Sequence, residues 1–145
     1  LPLETKRTDI ELSPDIPVQS EETPRSDRHH SILIAEDVYE NYFLLETLFG
    51  KQYQLYHALN GQEAIDMFET YHPDLILMDI KMPVMDGFEA TRRIRTLSKT
   101  IPIIALTAFA FEREKEIAKQ CEFTDYVVKP IDIKELKKLI VKVLA

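Results

Sequence analysis

The residues of this chain best suited to chemistry are an acidic pair, a single aspartate, a threonine and a lysine, each directly after a short apolar run. They are Glu36, Asp37, Asp79, Thr107 and Lys129. Three carboxylates in one crevice would repel one another unless a cation lay among them, and hard oxygen ligands suit Mg²⁺. The ammonium and the hydroxyl would supply donors for an anion beside the metal. Phosphoryl transfer requires this set of groups.

Taken singly, each of these residues also has a structural explanation. Glu36 and Asp37 could be acids that the helix dipole favours at a helix N-terminus. Asp79 could form a turn after a strand, Thr107 could be an ordinary strand residue, and Lys129 could be a solvated charge. Their joint occurrence after apolar runs favours a functional site over five independent coincidences.

The elements that must position these groups follow from hydrophobic patterning. From Ser31 onward, short apolar runs alternate with amphipathic stretches, which predicts a parallel sheet flanked by helices. The predicted strands are 32–35, 53–58, 75–78, 103–106 and 126–128. The predicted helices are 38–49, 61–71, 88–97, 112–121 and 132–144. This order predicts an α/β fold with a five-stranded doubly wound sheet, which binds ligands beyond the carboxyl ends of its strands.

Length and composition indicate one domain and a tail. The chain has 145 residues and 45% hydrophobic content, enough for one buried core. Residues 1–30 carry four of the eight prolines among charged and small polar residues, which predicts a flexible linker before a domain at 31–145. The adjacent His29 and His30 are interpreted as solvated linker residues rather than a site.

Charge and cysteine content restrict the partners and the compartment. The net charge of −7 argues against a broad electrostatic contact with nucleic acid or an anionic membrane surface. The apolar runs are too short to cross a bilayer, so no membrane contact by this fragment is expected. Cys121 is the single cysteine and cannot form an internal disulfide, which fits a cytoplasmic setting.

Four sequence segments resemble the receiver domains of bacterial two-component response regulators, and the resemblance covers residues 31–145. The segments are ILIAED, DLILMDIKMPVMDGFEA, PIIALTA and DYVVKP. The resemblance implies a flavodoxin-like receiver fold and a role in phosphorelay signalling. It also implies that the fragment is no independent enzyme beyond its own phosphorylation and dephosphorylation.

For the chemistry, the resemblance implies that Asp79 is the phosphoacceptor and that Mg²⁺ or Mn²⁺ is the cofactor. Asp37 and Asp79 would bind the metal, Glu36 would help through water, and the backbone carbonyl of Lys81 would complete the protein ligands. The loop residues Met82, Pro83, Asp86 and Gly87 would position the acceptor, with the glycine permitting a tight turn into the next helix.

The resemblance also implies a switch. Lys129 would bind the phosphoryl oxygens, the Thr107 hydroxyl would follow the phosphoryl group, and Tyr126 would turn inward as Thr107 moves. An alternative for Tyr126 is an ordinary half-buried strand aromatic. Lys81 and Phe109 occupy positions that tune phosphoryl lifetime, and the bulk of Phe109 is predicted to hinder the hydrolytic water. Phe109→Ala should then shorten the lifetime.

One departure from the family pattern stands before the fifth strand. The family commonly has a glycine there, and this chain has Glu122 between Cys121 and Phe123. The difference predicts a rebuilt turn between the fourth helix and the fifth strand. None of the proposed chemistry depends on it.

The parent predicted for this fragment is a hybrid histidine kinase with a C-terminal receiver. The chain begins without Met, and residues 1–4, Leu-Pro-Leu-Glu, resemble the end of a kinase ATP-binding domain. The expected partners are a kinase phosphohistidine, in cis or in trans, and a histidine phosphotransfer protein, and the parent could be anchored in the inner membrane. The alternative is a stand-alone or N-terminal response regulator receiver acting as a phosphorylation-controlled binding module.

Other functions fit less well. Metal-dependent phosphatases with an aspartyl nucleophile usually carry a second acid two residues later, where this chain has Lys81. The chain has three glycines and no phosphate-cradling glycine loop, which argues against nucleotide binding. A scaffold that has lost phosphorylation would not be expected to keep Asp37, Asp79, Thr107 and Lys129.

Overall fold

A computed structural model of the chain describes residues 30–108 and 112–145. Of the predicted linker, only His30 falls within these ranges, and it is exposed. The kinase-like residues 1–4, His29 and the lifetime position Phe109 lie outside the described residues, so the predictions made for them stay predictions. None of the helices within the described ranges is long and apolar enough to cross a membrane.

The described residues form strands and helices in strict alternation. The strands are β1 (Ser31–Ala35), β2 (Gln54–Ala58), β3 (Leu75–Asp79), β4 (Ile103–Thr107) and β5 (Asp125–Val128). The helices are α1 (Tyr39–Phe49), α2 (Gly61–Tyr71), α3 (Gly87–Leu97), α4 (Glu112–Gln120) and α5 (Ile133–Leu144). Every predicted element is present, and no boundary differs from its prediction by more than one residue.

The strands make one parallel sheet in the order β2-β1-β3-β4-β5. The chain runs from β1 outward to β2 and then returns to the other side of β1 to form β3. The strand order therefore reverses between β1 and β3, and a doubly wound sheet opens a crevice at the carboxyl ends of such a pair. The predicted fold class is confirmed.

Helices cover both faces of the sheet, which explains the unbroken apolar runs of the central strands. In β3, Ile76 and Met78 pack into the core layer that includes residues of α2 and α3. Leu75 and Leu77 pack into the opposite layer with residues of α1 and α5. Burial on both faces holds the strand ends, and the polar residues after them, in fixed positions.

Among the helices whose N-terminal flank is described, α2, α3 and α5 begin with side-chain caps. Asn60 accepts a hydrogen bond from the Glu63 amide at 2.9 Å, and Asp86 accepts one from the Glu89 amide at 2.9 Å. Asp132 accepts from the amides of Lys134 and Glu135 at the start of α5. Each cap satisfies backbone donors that the helix leaves free, worth about 1 kcal/mol.

The turn after α4 keeps the backbone conformation that glycine favours, although its residue is a glutamate. Glu122 has φ 63°. Its amide donates to the Lys119 carbonyl at 3.0 Å, and the Phe123 amide donates to the Ala118 carbonyl at 3.3 Å. These two bonds form a Schellman motif with a left-handed residue. The prediction of a rebuilt turn is therefore wrong. Glu122 adopts the left-handed conformation although its Cβ makes this conformation strained.

Candidate functional site

The pairing of β1 with β3 brings the three acids together. Ala35 lies beside Met78 in the sheet, so the residues that follow each strand meet at its carboxyl edge. One carboxylate oxygen from each of Glu36, Asp37 and Asp79 lies within 4.8 Å of the other two. Glu36 is 1% exposed and Asp79 is 5% exposed, while Asp37 is only partly buried.

Lys129 brings the positive charge to this cluster from the end of β5. Its Nζ lies 3.0 Å from Asp79 Oδ2 and 3.6 Å from Glu36 Oε1. Its amide donates to the Thr107 carbonyl at 2.7 Å, which extends the β4–β5 pairing by one residue. The peptide bond that links Lys129 to Pro130 is cis. We call Glu36, Asp37, Asp79 and Lys129 the acid site.

The acid site is electrostatically unbalanced. Burial and the charge of Asp79 raise the pKa of Glu36 to about 7, despite the amide of Val38 and the ammonium of Lys129. Burial opposes the charge of Lys129, but its hydrogen bond to Asp79 and the charges of Asp79 and Glu36 outweigh this and raise its pKa. With all three carboxylates ionised, the single ammonium of Lys129 would leave two negative charges uncompensated.

This donor set fits a divalent metal ion. Mg²⁺ prefers hard oxygen ligands, takes one or two carboxylates and keeps several waters. Asp37 is the most accessible of the three acids. A charge of +2 would balance the two negative charges of the site. The Lys81 amide donates to Asp79 Oδ1 at 3.2 Å, which places the backbone of Lys81 against the Asp79 carboxylate.

Gly87 stands where the start of α3 approaches the end of β3. None of the glycines in the described residues has a positive φ, so left-handed freedom does not explain Gly87. A Cβ at this position would collide with the backbone carbonyl of Asp79. The Gly87 amide also donates to the Ile80 carbonyl at 2.8 Å. The start of α3 therefore packs directly against the backbone at the end of β3.

The predicted switch residues line one small cavity. Thr107 is 8% exposed at the end of β4, and Tyr126 is 39% exposed on β5. Both line a cavity with Ile80, Phe88 and residues of α4. The Lys115 Nζ lies 6.0 Å from the centre of the Tyr126 ring. In this conformation the Tyr126 ring is exposed on β5, and the cavity that it lines also extends to Thr107.

Two residues near the site were not singled out from the sequence. His57 on β2 contacts the backbone of Glu36, and the strand register that creates this contact is not visible in a single sequence. Val84 has φ 69°, which is strained for a β-branched residue, and it lies in the loop between β3 and α3. The loop signal came from Pro83 and the Asp86-Gly87 pair, and nothing in the sequence indicated this conformation of Val84.

Comparison with known sequences identifies a matching family and similar proteins. Residues 32–141 match the family described as the response regulator receiver domain. The chain is 38% identical over 114 residues to Regulatory protein AtoC of Escherichia coli, covering 78% of this chain and 25% of that protein. It is 34% identical over 117 residues to Sporulation initiation phosphotransferase F of Bacillus subtilis, covering 80% of this chain and 94% of that protein.

Solved structures give the same result. The receiver domain of the sensor histidine kinase PA1611 of Pseudomonas aeruginosa, described with magnesium in its active site cleft, has a TM-score of 0.75 and 33% identity. That match covers 81% of this chain and 98% of the other. The receiver domain of Ssk1 of Saccharomyces cerevisiae, crystallised with the histidine phosphotransfer protein Ypd1, has a TM-score of 0.74 and 31% identity, covering 79% and 88%.

The fold, the acid site and these matches agree with one another, and the family match extends over most of the chain. The chain belongs to the response regulator receiver domain family of two-component phosphorelay signalling.

Proposed function

We propose that Asp79 is the phosphoacceptor of this receiver domain and takes the phosphoryl group from a phosphohistidine. The observation that carries the proposal is the burial of the Asp79 carboxylate between the Lys129 ammonium at 3.0 Å and two further acids within 4.8 Å. A buried carboxylate that shares its surroundings with excess negative charge needs a cation, and phosphoryl transfer uses that cation.

In the proposed reaction, a carboxylate oxygen of Asp79 attacks the phosphorus atom and forms a new O–P bond. The N–P bond of the phosphohistidine breaks, and its electron pair stays on the imidazole nitrogen. The product is an acyl phosphate on Asp79 and a histidine. Burial keeps the Asp79 carboxylate poorly hydrated. The hydrogen bond from the Lys81 amide to Oδ1 fixes its orientation.

Asp37, Asp79 and the Lys81 carbonyl are the proposed ligands of Mg²⁺ or Mn²⁺, with Glu36 acting through water. The bound ion would neutralise charge that develops on the phosphoryl oxygens. Lys129 would donate to one phosphoryl oxygen, and it already lies at the acceptor carboxylate. The Thr107 hydroxyl would donate to another, and its movement would let Tyr126 turn into the adjacent cavity.

The proposed parent is a hybrid histidine kinase, and the proposed setting is the cytoplasm, where ATP supplies the kinase. The receiver of the sensor kinase PA1611 supports this parent, because it belongs to a histidine kinase and is 33% identical to this chain. The Ssk1 receiver in complex with Ypd1 supports a histidine phosphotransfer protein as partner. The match to 94% of phosphotransferase F supports a stand-alone receiver as the second candidate. An ATP-binding domain encoded upstream of residue 1 would decide for the hybrid kinase.

The phosphoacceptor proposal is tested by intact-protein mass spectrometry after incubation with Mg²⁺ and phosphoramidate. The wild type should gain one phosphoryl group, with no gain in EDTA. Asp79→Asn should gain none. Asp66→Asn is the matched control, because Asp66 is an exposed aspartate on α2 that is not part of the acid site. Equal phosphorylation of Asp79→Asn and the wild type would overturn the proposal.

A further inference from the structure

His57 contacts the acidic pair from the edge of the sheet. Its Nε2 lies 2.8 Å from the backbone carbonyl oxygen of Glu36, and the residue is half-buried at the end of β2. We propose that His57 is a positioning residue that fixes the peptide between Glu36 and Asp37 and so orients the metal-binding acids. This inference rests on the proposed function, which assigns the metal to these acids.

The β1–β2 ladder shows why a side chain is needed at this point. The Glu36 amide donates to the Ala58 carbonyl at 3.0 Å, which is the last step of backbone pairing before β2 ends. The Glu36 carbonyl lies beyond that step, and the His57 side chain reaches it. Because the partner is a carbonyl oxygen, Nε2 must carry the proton and donate. The backbone of Glu36 is thus held through both of its polar atoms.

Tyr42 holds the His57 ring in place. The two rings are stacked with centroids 3.7 Å apart and planes 1° from parallel. Tyr42 is 6% exposed and belongs to α1, which begins two residues after Asp37. The stack prevents the imidazole from rotating away from the Glu36 carbonyl. It also joins β2, the acidic pair and the first turns of α1 in one unit.

The consequence for metal binding follows from this arrangement. Asp37 is connected to the peptide that His57 holds, so freedom in that peptide becomes freedom in the direction of the Asp37 carboxylate. The Glu36 carboxylate is held separately, because its Oε2 accepts from the Val38 amide at 3.1 Å. Loss of a residue that orients a metal ligand commonly lowers metal affinity by about 10–100-fold. We expect about 10-fold on loss of the His57 donor.

The test compares variants that separate the donor from the ring. His57→Phe keeps a ring for Tyr42 but has no donor, and His57→Gln keeps a donor without the ring. Tyr56→Phe is the matched control, because Tyr56 is the neighbouring β2 residue and stacks on Tyr71 instead. The Mg²⁺ dissociation constant is measured by titration calorimetry, and amide hydrogen exchange at Asp37 and Val38 is measured in EDTA.

We expect the variants to differ in Mg²⁺ affinity and amide exchange according to whether they keep the donor. His57→Phe should weaken Mg²⁺ binding about 10-fold and speed exchange at both amides without metal. His57→Gln should recover most of both values, and Tyr56→Phe should match the wild type. In phosphorylation by phosphoramidate, His57→Phe should raise the half-saturating Mg²⁺ concentration while the rate at saturating Mg²⁺ stays near that of the wild type.

Wild-type Mg²⁺ affinity and wild-type exchange in His57→Phe would overturn the inference. If His57→Phe fails to fold, His57→Met replaces it, since methionine resembles glutamine in length but has no donor. Equal values for His57→Met and His57→Gln would also overturn it. Failure of the wild type to accept a phosphoryl group would overturn the proposed function alone, because exchange at Asp37 and Val38 is measured without metal or phosphodonor.

Discussion

Within residues 30–108 and 115–145, charged side chains are buried in two places, at opposite ends of the sheet. At the carboxyl ends of the strands, the acid site gathers three carboxylates around one ammonium. Near the amino ends, Arg95 is 6% exposed and donates to the backbone carbonyls of Glu122, Ser98 and Ile101. We call these four residues the Arg95 cluster.

The difference lies in how fully each charge is satisfied. Arg95 donates to three carbonyl oxygens at 2.7–3.3 Å, and burial lowers its pKa from the usual value. Its hydrogen bonds join the end of α3 to the turns before β4 and β5. The acid site instead holds a Glu36 whose pKa is raised to about 7 by burial and by Asp79. A satisfied buried charge stabilises the fold, and an unsatisfied one is available for a ligand.

The largest expected effect is a loss of phosphorylation rate when Lys129 of the acid site is replaced. Lys129→Met should lower the rate of phosphorylation by phosphoramidate about 100-fold, because the phosphoryl oxygens lose a positioned cation. The rate is measured by intact-protein mass spectrometry at saturating Mg²⁺. Lys138→Met on the exposed side of α5 is the control and should keep the wild-type rate. A rate for Lys129→Met within two-fold of the wild type would remove Lys129 from the chemistry.

Arg95→Met should lower the stability of the fold and leave the phosphorylation rate almost unchanged. Removal of the guanidinium takes the donor from one buried carbonyl oxygen, that of Ile101, and from two part-buried ones, so the free energy of unfolding should fall by about 3 kcal/mol. Urea unfolding followed by circular dichroism measures this loss. Phosphorylation of the folded variant should stay near the wild-type rate. Exposed Arg92→Met serves as control, and a similar small loss in both variants would show that the Arg95 cluster contributes little stability.

The imbalance at Glu36 predicts a pH dependence for the metal-free domain. An acid whose pKa is about 7 when folded and near 4.5 when unfolded keeps its proton longer in the folded state. Stability should therefore fall as pH rises from 4.5 to 7, by on the order of 2 kcal/mol, and stay level above. Urea unfolding in EDTA measures this slope.

Glu36→Gln should remove the pH dependence of the unfolding free energy, and the control Glu40→Gln should keep it. Added Mg²⁺ should stabilise the domain more at pH 8 than at pH 5.

The smallest effect concerns strain within the Arg95 cluster. Glu122→Gly should stabilise the domain by about 1 kcal/mol, because glycine adopts the left-handed conformation at φ 63° without a Cβ penalty. Thermal and urea unfolding measure the gain. Glu122→Ala keeps a Cβ and should show no such gain. Stabilisation by alanine equal to that by glycine would trace the effect to the lost carboxylate rather than to the backbone.

Much of the site could be predicted because its signals are local. Asp79 and Thr107 directly follow apolar runs, and in a parallel sheet the carboxyl ends of the strands share one edge. The caps of α2, α3 and α5 are likewise local, since each capping side chain binds an amide two or three residues later. Patterns of this range are legible in one sequence.

Other features depended on contacts between distant segments. The role of Gly87 comes from a close approach to the Asp79 carbonyl, which no spacing rule reveals. The bond from His57 to Glu36 exists only because β2 pairs with β1 in one register. Glu122 was expected to rebuild its turn, yet the Schellman bonds and the Arg95 cluster hold the glycine conformation.

By itself, the sequence determined the order of strands and helices, the receiver motifs and the identities of the acids, the lysine and the threonine that meet at one edge. Only the tertiary structure decided how strongly those groups perturb one another and which neighbours hold them. The physical reason is that residue type and periodicity act over a few positions along the chain. Burial, charge coupling and backbone contacts are set by segments that are distant in sequence, and folding brings them within a few ångströms.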